Sequence, residues 1–279
     1  MNKPALYVEA NDKQRRDAKD ISEEYSDELG KMFGRCLDVG SGCCDVVADF
    51  ILPKLNPKAS IVCSDISEPM MDFGREKYKD NPRMSFITLN IESPNLPEDL
   101  IEQFDHVTSF YCLHWLFKNI LNLLKPGGTT LLVFQASTPV RSVYPVLATM
   151  SHYQPYMTVK ASPLRTTLID SKLSNPRVAI KALFKDVGFD ILHLSRRERS
   201  YIFETPALLS NFLLAVNPFI ERMPADLQEK YKKDLVKEVE KLNIVFSKHK
   251  DNGNEYSILS RYHMFVAYLK KPTSELCRN

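Results

Sequence analysis

The feature that most constrains the fold is an alternation of short apolar or β-branched runs with helical segments over residues 35–134. The runs are RCLDV, SIVCSD, MSFITLN, FDHVTSFYCL and TTLLVF, and helical patterns lie between them near residues 46–52, 69–78 and 117–124. Strands that alternate with crossover helices are typical of a parallel sheet covered on both faces. We therefore predict an α/β fold with a mostly parallel sheet.

Helical patterns flank this core on both sides. Residues 13–33 predict an amphipathic N-terminal helix, with apolar residues on one face: Ala18, Ile21, Tyr25, Leu29 and Met32. Beyond Gln135, residues 137–175 are rich in Pro, Ser, Thr and Tyr, and a helix at 176–187 precedes a strand at 189–204. Helices at 206–216 and 226–242 lead to a last strand at 258–269. The two late strands predict an antiparallel edge hairpin, and the residues around it predict a helical cap.

Composition argues against several classes of partner, location and site. The 279 residues carry 37 basic and 35 acidic side chains, a formal charge of +2, which gives no case for a nucleic-acid partner. The sequence shows neither a signal peptide nor an apolar run long enough for a transmembrane segment, so we expect a cytoplasmic protein. The six cysteines form no CxxC pair, which favours reduced thiols and no metal site.

A glycine turn ends the first predicted strand in the segment LDVGSG, where Gly40 and Gly42 permit close backbone approach to a ligand. Asp65 follows the second strand, 23 positions beyond Gly42, where its carboxylate could accept both hydroxyls of a ribose. The alternative is an ordinary turn in which Asp65 caps the next helix. In the same way, Asn90 after the third strand could bond an adenine edge or simply form a turn.

The turn favours S-adenosylmethionine over a dinucleotide. The third glycine of the dinucleotide fingerprint is replaced by Cys44. Asp38 places a carboxylate just before the turn, where it would repel a pyrophosphate but attract the amino and sulfonium groups of a methyl donor. We therefore predict S-adenosylmethionine as the cofactor.

Segments spread along nearly the whole chain resemble the insect juvenile hormone acid methyltransferases, a family of class I methyltransferases. They are LYVEANDKQRRDAK, LDVGSG, SDISEPM, FDHVTSFYCLHW, NLLKPGG and NPFIERMPADL, of which FDHVTSFYCLHW is the most specific. The resemblance implies a Rossmann-like, seven-strand sheet, mostly parallel with an antiparallel edge strand, in a single methyltransferase domain over 1–279. Residues 1–33 would form the N-terminal helix, and 137–175 and 205–250 would contribute a substrate cap.

The resemblance also implies the reaction, which is methyl transfer to the carboxylate of farnesoic acid or juvenile hormone acid, or of another small hydrophobic carboxylic acid. It places Gln14 and Trp115 on the substrate carboxylate. The donor site that it implies, with the neighbouring residues that we add, consists of Asp38, Gly40, Gly42, Asp65, Ile66, Asn90 and Ile91. For the substrate pocket we predict Phe110, Tyr111 and His114.

A carboxylic acid is already ionised near neutral pH, so this reaction needs positioning and no general base. The Gln14 amide and the Trp115 indole N–H could each donate a hydrogen bond to the carboxylate. Without the resemblance, Trp115 reads as a core residue and Gln14 as a solvated one. His114 could act as a base for a hydroxyl or amine acceptor, or bond locally.

Three features depart from the family pattern: Asn90 replaces an Asp, Cys44 replaces a small residue, and the chain is shorter after Trp115. They leave open a relative that binds the donor or a lipid as a carrier or regulator without turnover. Further aromatic residues could line an apolar channel: Tyr144, Tyr153, Tyr156, Phe212 and Phe219. The oligomeric state is open, with a homodimer as one option.

Overall fold

A computed structural model of the chain describes residues 3–112, 117–137, 139–157, 175–217, 219–242, 244–247 and 256–273. The α-helices are α1 (Pro4–Ala10), α2 (Asp12–Glu24), α3 (Ser26–Lys31), α4 (Glu68–Lys77), α5 (Phe117–Leu123), α6 (Pro139–Ala148), α7 (Pro176–Val187), α8 (Pro206–Ala215) and α9 (Ala225–Glu240). The strands are β1 (Arg35–Val39), β2 (Ser60–Asp65), β3 (Met84–Thr88), β4 (Phe104–Phe110), β5 (Leu124–Ser137), β6 (Asp190–Phe203), β7 (Ile244–Ser247) and β8 (Tyr256–Lys270). A π-helical segment, Val47–Ile51, follows the glycine turn, and 3₁₀ turns lie at Glu98–Leu100, Gln154–Tyr156 and Ile220–Arg222.

The strands form one sheet in the order β3-β2-β1-β4-β5-β8-β6, with β7 paired to β8. Strands β1 to β5 are parallel to one another, and β8 is antiparallel to β5, β6 and β7. The predicted fold class is confirmed. The hairpin of late strands is present, but its antiparallel member β8 lies between β5 and β6, so the edge strand is β6. The carboxyl ends of β1, β2 and β4 meet at one edge of the sheet.

Each face of the sheet is covered by a separate apolar core. On one face, Ile21 of α2, Leu29 of α3 and Met71 of α4 pack with the π-helical segment. On the other, Phe117 of α5 and Phe184 of α7 pack against each other with ring centroids 4.6 Å apart. Two covered faces explain why β1, β2 and β4 are buried at almost every position.

The predicted apolar face of the N-terminal helix is confirmed, because Ala18, Ile21, Tyr25, Leu29 and Met32 are all buried. The prediction of a single helix is wrong, because the helix is interrupted at Tyr25, between α2 and α3. The break lets Tyr25 contact His193 of β6 and Tyr268 of β8, with ring centroids 6.0 and 6.2 Å apart. Tertiary packing therefore overrides helical periodicity there.

A third apolar cluster joins α6, α8 and α9 above the sheet. Tyr153 is buried against Tyr231 of α9, and its hydroxyl donates to Asp234 at 2.8 Å. These helices occupy the regions predicted as a cap, although residues 158–174 of the predicted insertion lie outside the described residues. No helix within the described ranges is long and apolar enough to cross a membrane.

Candidate functional site

The glycine turn follows β1 and is hydrogen-bonded to the end of β2. Gly40 (φ +76°) and Gly42 (φ +54°) both have left-handed backbone conformations, which glycine adopts without steric cost. The Gly40 and Ser41 amides donate to the Ser64 carbonyl at 2.7 and 2.9 Å. A Cβ on Gly40 would lie 2.1 Å from Cys112 Cβ, so only glycine fits where the turn meets the chain beyond β4.

Asp38 lies beneath this turn and is buried. Its Oδ2 accepts from the Ser41 hydroxyl at 2.7 Å, and its Oδ1 accepts from the Thr108 hydroxyl at 2.6 Å. Burial raises the pKa of Asp38 to about 6. The two hydroxyl hydrogen bonds lower this pKa, and the negative charge of Asp65 raises it. No Lys or Arg among the described residues forms a salt bridge with Asp38.

Asp65 stands at the end of β2 and faces the turn. Its Oδ2 accepts from the Gly42 amide at 3.1 Å, and its Oδ1 accepts from the Ser67 amide at 2.9 Å, just before α4. Asp65 therefore makes both a local bond and a bond to the glycine turn, but the N-cap residue of α4 is Ser67 and not Asp65. The next residue, Ile66, is 62% exposed and offers an apolar surface beside the carboxylate.

Asn90 and Ile91 differ in their surroundings. Asn90 is exposed, and its Oδ1 accepts from the Glu92 amide at 3.0 Å, which is the turn expected as the alternative to a ligand contact. Ile91 is buried in the core between the sheet and α5, and its carbonyl accepts from the Asn119 side chain at 2.7 Å. Their assignment to the donor site stays a prediction.

The structure adds Tyr7 of α1, which sequence reasoning missed. The Tyr7 ring covers the turn, since a Cβ on Gly42 would lie 3.4 Å from Tyr7 Cε1. Burial, with the nearby Asp45 carboxylate, raises the pKa of Tyr7 well above its usual value. Asn11, between α1 and α2, donates from Nδ2 to Asp45 at 2.8 Å and so holds α1 over the turn. The segment is too short to show helical periodicity, so only its aromatic residue could have suggested a contact.

Gln14 of α2 is 7% exposed, which contradicts the reading of a solvated residue. Its Oε1 is buried and accepts no hydrogen bond from any described residue. Phe110 is buried at the end of β4, and Tyr111 follows with a left-handed backbone (φ +63°). Trp115 and His114 lie outside the described residues, so their roles stay predictions.

Beside Gln14, two charged residues of α2 are buried, and sequence reasoning missed both. Lys13 Nζ lies 3.7 Å from the ring centroid of Tyr262 and 5.5 Å from that of Tyr111. Asp17 accepts hydrogen bonds from the hydroxyls of both tyrosines and from Arg199. A signal was available, because Lys13 and Asp17 extend the buried face of α2 backwards from Ile21 in steps of four residues.

The donor set fits S-adenosylmethionine. Asp38 is a buried carboxylate whose described partners are neutral hydroxyls, and a carboxylate has capacity for further donors. A buried charge is costly unless it is paired, so a cationic ligand suits this position. Asp65 retains acceptor capacity for hydroxyls, and exposed Ile66 suits an apolar ring. Across the described ranges, no cluster of His, Cys, Asp and Glu is arranged to hold a metal ion.

Comparisons with known proteins agree with this geometry. A methyltransferase domain family matches residues 37–130, which run from β1 through the glycine turn into β5. The chain is 38% identical to juvenile hormone acid O-methyltransferase of Drosophila melanogaster, over 100% of this chain and 95% of that protein. It is 31% identical to the protein of the same name from Bombyx mori, over 97% of this chain and 98% of that protein.

Solved structures confirm the fold. A candidate methyltransferase from Bacillus halodurans superposes with a TM-score of 0.54, covering 90% of this chain and 99% of that one, at 17% sequence identity. At that identity the likeness concerns the sheet and its helices alone. The chemistry follows instead from the relatives that match the full length of the chain.

Proposed function

Because the chain belongs to the juvenile hormone acid O-methyltransferase family, we propose that it methylates the carboxylate of farnesoic acid or juvenile hormone acid. The methyltransferase domain and these relatives make it an S-adenosylmethionine-dependent enzyme, so the predicted cofactor is confirmed. The observation that carries the proposal is the pair of carboxylates, Asp38 and Asp65, at a glycine turn in which Gly40 has no room for a Cβ.

S-adenosylmethionine supplies an electrophilic methyl group on a sulfonium. Asp38 would hold the cationic end of this donor, and Asp65 would accept from its ribose, while Tyr7 covers the turn from α1. Because the acceptor acid is ionised already, no side chain has to remove a proton. The enzyme contributes orientation, which can supply about 7–11 kcal/mol of the barrier in well-positioned reactions.

On the acceptor side, Gln14 and Trp115 would donate hydrogen bonds to the carboxylate. Gln14 is buried and its Oε1 has no partner among the described residues, so the side-chain amide turned by 180° would present its NH2 donor there to the carboxylate. Phe110 and Tyr111 follow β4 to the same edge of the sheet and would flank the acceptor. The α6, α8 and α9 cluster would cover its apolar tail.

A turnover assay tests the proposal. Purified protein is incubated with donor labelled in the methyl group and with a panel of fatty and terpenoid acids, phenols and amines. We expect label in organic-extractable esters of the terpenoid acids. Label only in phenols or amines would refute the acceptor class and favour His114 as a base. Binding of donor and acid without product would show a carrier instead of an enzyme.

Two variants test the acceptor contacts. Trp115→Phe keeps the ring and deletes the indole N–H, and Gln14→Leu keeps the volume and deletes the amide. Each should lower kcat/KM for the acid about 10-fold or more through loss of a hydrogen bond to a charged group. Unchanged turnover would remove that residue from the site. Thr88→Val, at the end of β3 and outside the proposed contacts, is the matched control.

We also place the enzyme in the cytoplasm, with a homodimer as one option. The finding that supports the location is the lack of a membrane-spanning helix in the part of the chain that the structure describes. Subcellular fractionation and light scattering on the purified protein test location and oligomeric state. Recovery of the protein in sealed organelles would contradict the cytoplasmic location.

A further inference from the structure

The Lys13 side chain is 3% exposed and ends among aromatic rings. Its ammonium lies 3.7 Å from the ring centroid of Tyr262, 5.3 Å from that of Phe212 and 5.5 Å from that of Tyr111. No carboxylate among the described residues forms a salt bridge with it. Ring faces stabilise a cation only in part, so this charge is incompletely compensated.

The nearest carboxylate, Asp17, is fully engaged elsewhere. Its Oδ1 accepts from Arg199 at 2.8 Å and from Arg16 at 3.1 Å, and its Oδ2 accepts from the two tyrosine hydroxyls. Arg199 also pairs with Asp20. The cluster of Lys13, Arg16, Asp17, Asp20 and Arg199 therefore carries a formal charge of +1. Arg16 and Asp20 of this cluster are partly exposed, so the excess positive charge is buried at Lys13, where it suits an anionic ligand.

The position of Lys13 matches that of the acceptor. Tyr111 contacts the ammonium, and the next residue, Cys112, packs directly on Gly40 of the glycine turn. Gln14, adjacent on α2, is also buried and has an unpartnered oxygen. Phe212 belongs to α8 of the proposed cap. The ammonium thus lies between the turn that would hold the donor and the helices that would cover the acceptor.

We propose that the Lys13 ammonium binds the acceptor carboxylate and selects acids over neutral acceptors, an inference that rests on the proposed function. The aromatic rings hold the ammonium in place, and the four acceptor sites of Asp17 are occupied, so neither competes with the substrate for the charge. In a site of low dielectric, a carboxylate is attracted more strongly to a cation than to a neutral hydrogen-bond donor.

The chemistry predicts which kinetic constant depends on Lys13. An oxygen of the acceptor carboxylate forms a bond to the methyl carbon as the carbon–sulfur bond breaks, and the electron pair of that bond goes to sulfur. The carboxylate loses its negative charge on the way to the ester. Lys13 therefore stabilises the bound acid more than the transition state, so its removal should raise KM and leave kcat unchanged or higher.

The test compares an acid with its own ester. Lys13→Met keeps the apolar stem in the aromatic surroundings and removes only the charge. We expect KM for farnesoic acid to rise about 10- to 100-fold, as for loss of a charge-assisted hydrogen bond. Inhibition by the neutral methyl ester should change less than twofold. Calorimetry with S-adenosylhomocysteine should give the wild-type Kd, which shows that the variant is folded.

A pH profile provides a second readout. Burial lowers the pKa of Lys13 to about 8; the negative charge of Asp17 raises this pKa, and the positive charge of Arg16 lowers it. The other titratable groups at the ammonium, Tyr111 and Tyr262, stay neutral. Wild-type kcat/KM for the acid should fall above about pH 8. Lys13→Arg should abolish this fall, because a guanidinium stays charged, and Lys13→Met should show no such fall.

The outcomes separate the two claims. If wild-type protein methylates acids and Lys13→Met has an unchanged KM for the acid, the inference fails and the proposed function stands. The inference also fails if acid and ester lose affinity equally, because that result shows a packing role. Wild-type protein that neither methylates nor binds any acid would overturn the proposed function itself.

Discussion

Substitution of Gly40 by alanine tests the geometry on which the donor site depends. At φ +76° an alanine pays about 1–2 kcal/mol for the left-handed conformation. Its Cβ would lie 2.1 Å from Cys112 Cβ and 2.2 Å from Cys112 Sγ, so the chain beyond β4 must shift. Such overpacking costs a further 1–3 kcal/mol or so. Gly40→Ala should therefore lower the free energy of unfolding by about 2–5 kcal/mol.

Gly42→Ala is the matched control. Its φ of +54° carries the same conformational cost, but the nearest atom to a Cβ there is Tyr7 Cε1 at 3.4 Å, an ordinary contact. Gly42→Ala should cost only about 1–2 kcal/mol. Urea unfolding gives both values, and calorimetry with S-adenosylhomocysteine should show weaker binding for Gly40→Ala than for Gly42→Ala.

A double variant isolates the steric part. Cys112→Gly removes both atoms that the new methyl group would overlap. Measured against Cys112→Gly alone, the added Gly40→Ala should cost no more than the conformational term of about 1–2 kcal/mol. Equal costs for Gly40→Ala and Gly42→Ala, or no recovery in the double variant, would refute the close contact between the turn and Cys112.

Three further predictions concern stability and the turn. Burial lowers the pKa of His106 to about 4, so the unfolded chain binds a proton that the folded one does not. The contribution of neutral His106 to the free energy of unfolding, up to about 3 kcal/mol, is complete above pH 6.5 and is lost as pH falls toward 4. Urea unfolding at pH 7.5 and 5 should therefore show a smaller loss of stability in His106→Gln than in wild type. Asp17→Asn should cost about 1–3 kcal/mol in urea unfolding, because it removes the buried charge that accepts from Tyr111, Tyr262 and Arg199, whereas Glu24→Gln, in an exposed pair with Arg197, should cost less than about 1 kcal/mol. Similar values would contradict the burial of Asp17. Tyr7→Ala should weaken S-adenosylhomocysteine binding about 10-fold in calorimetry through loss of a half-buried ring that covers the turn, while Tyr7→Phe should not. An equal loss in both would assign the effect to the hydroxyl.

The donor side of the site could be predicted because it depends on parallel strands that are close in sequence. Val39 of β1 pairs with Ser64 of β2, so the residues that follow each of them, Gly40 and Asp65, must meet at one edge. Strand alternation and the glycine spacing were sufficient for this. The sequence could not exclude a purely local role for Asp65, and the structure shows local and long-range bonds together.

The acceptor side could not be predicted in the same way. Asp17 is buried only because Tyr111, Arg199 and Tyr262 reach it from positions 94, 182 and 245 residues further along the chain. A helix pattern identifies the face on which Asp17 lies but not the partners that make burial possible. The position of β8 between β5 and β6 depends likewise on two pairings across long separations, which alternation within each strand does not specify.

The two halves of the site have opposite charge, and this has a consequence for release of the product. Asp38 presents a carboxylate where the donor would carry its positive charge, and Lys13 presents a cation where the acceptor would carry its negative one. Methyl transfer removes the sulfonium charge and the carboxylate charge together. The ester therefore loses its attraction to Lys13 at the moment it forms, while the acid that replaces it retains that attraction. An acceptor site of this polarity favours exchange of product for substrate.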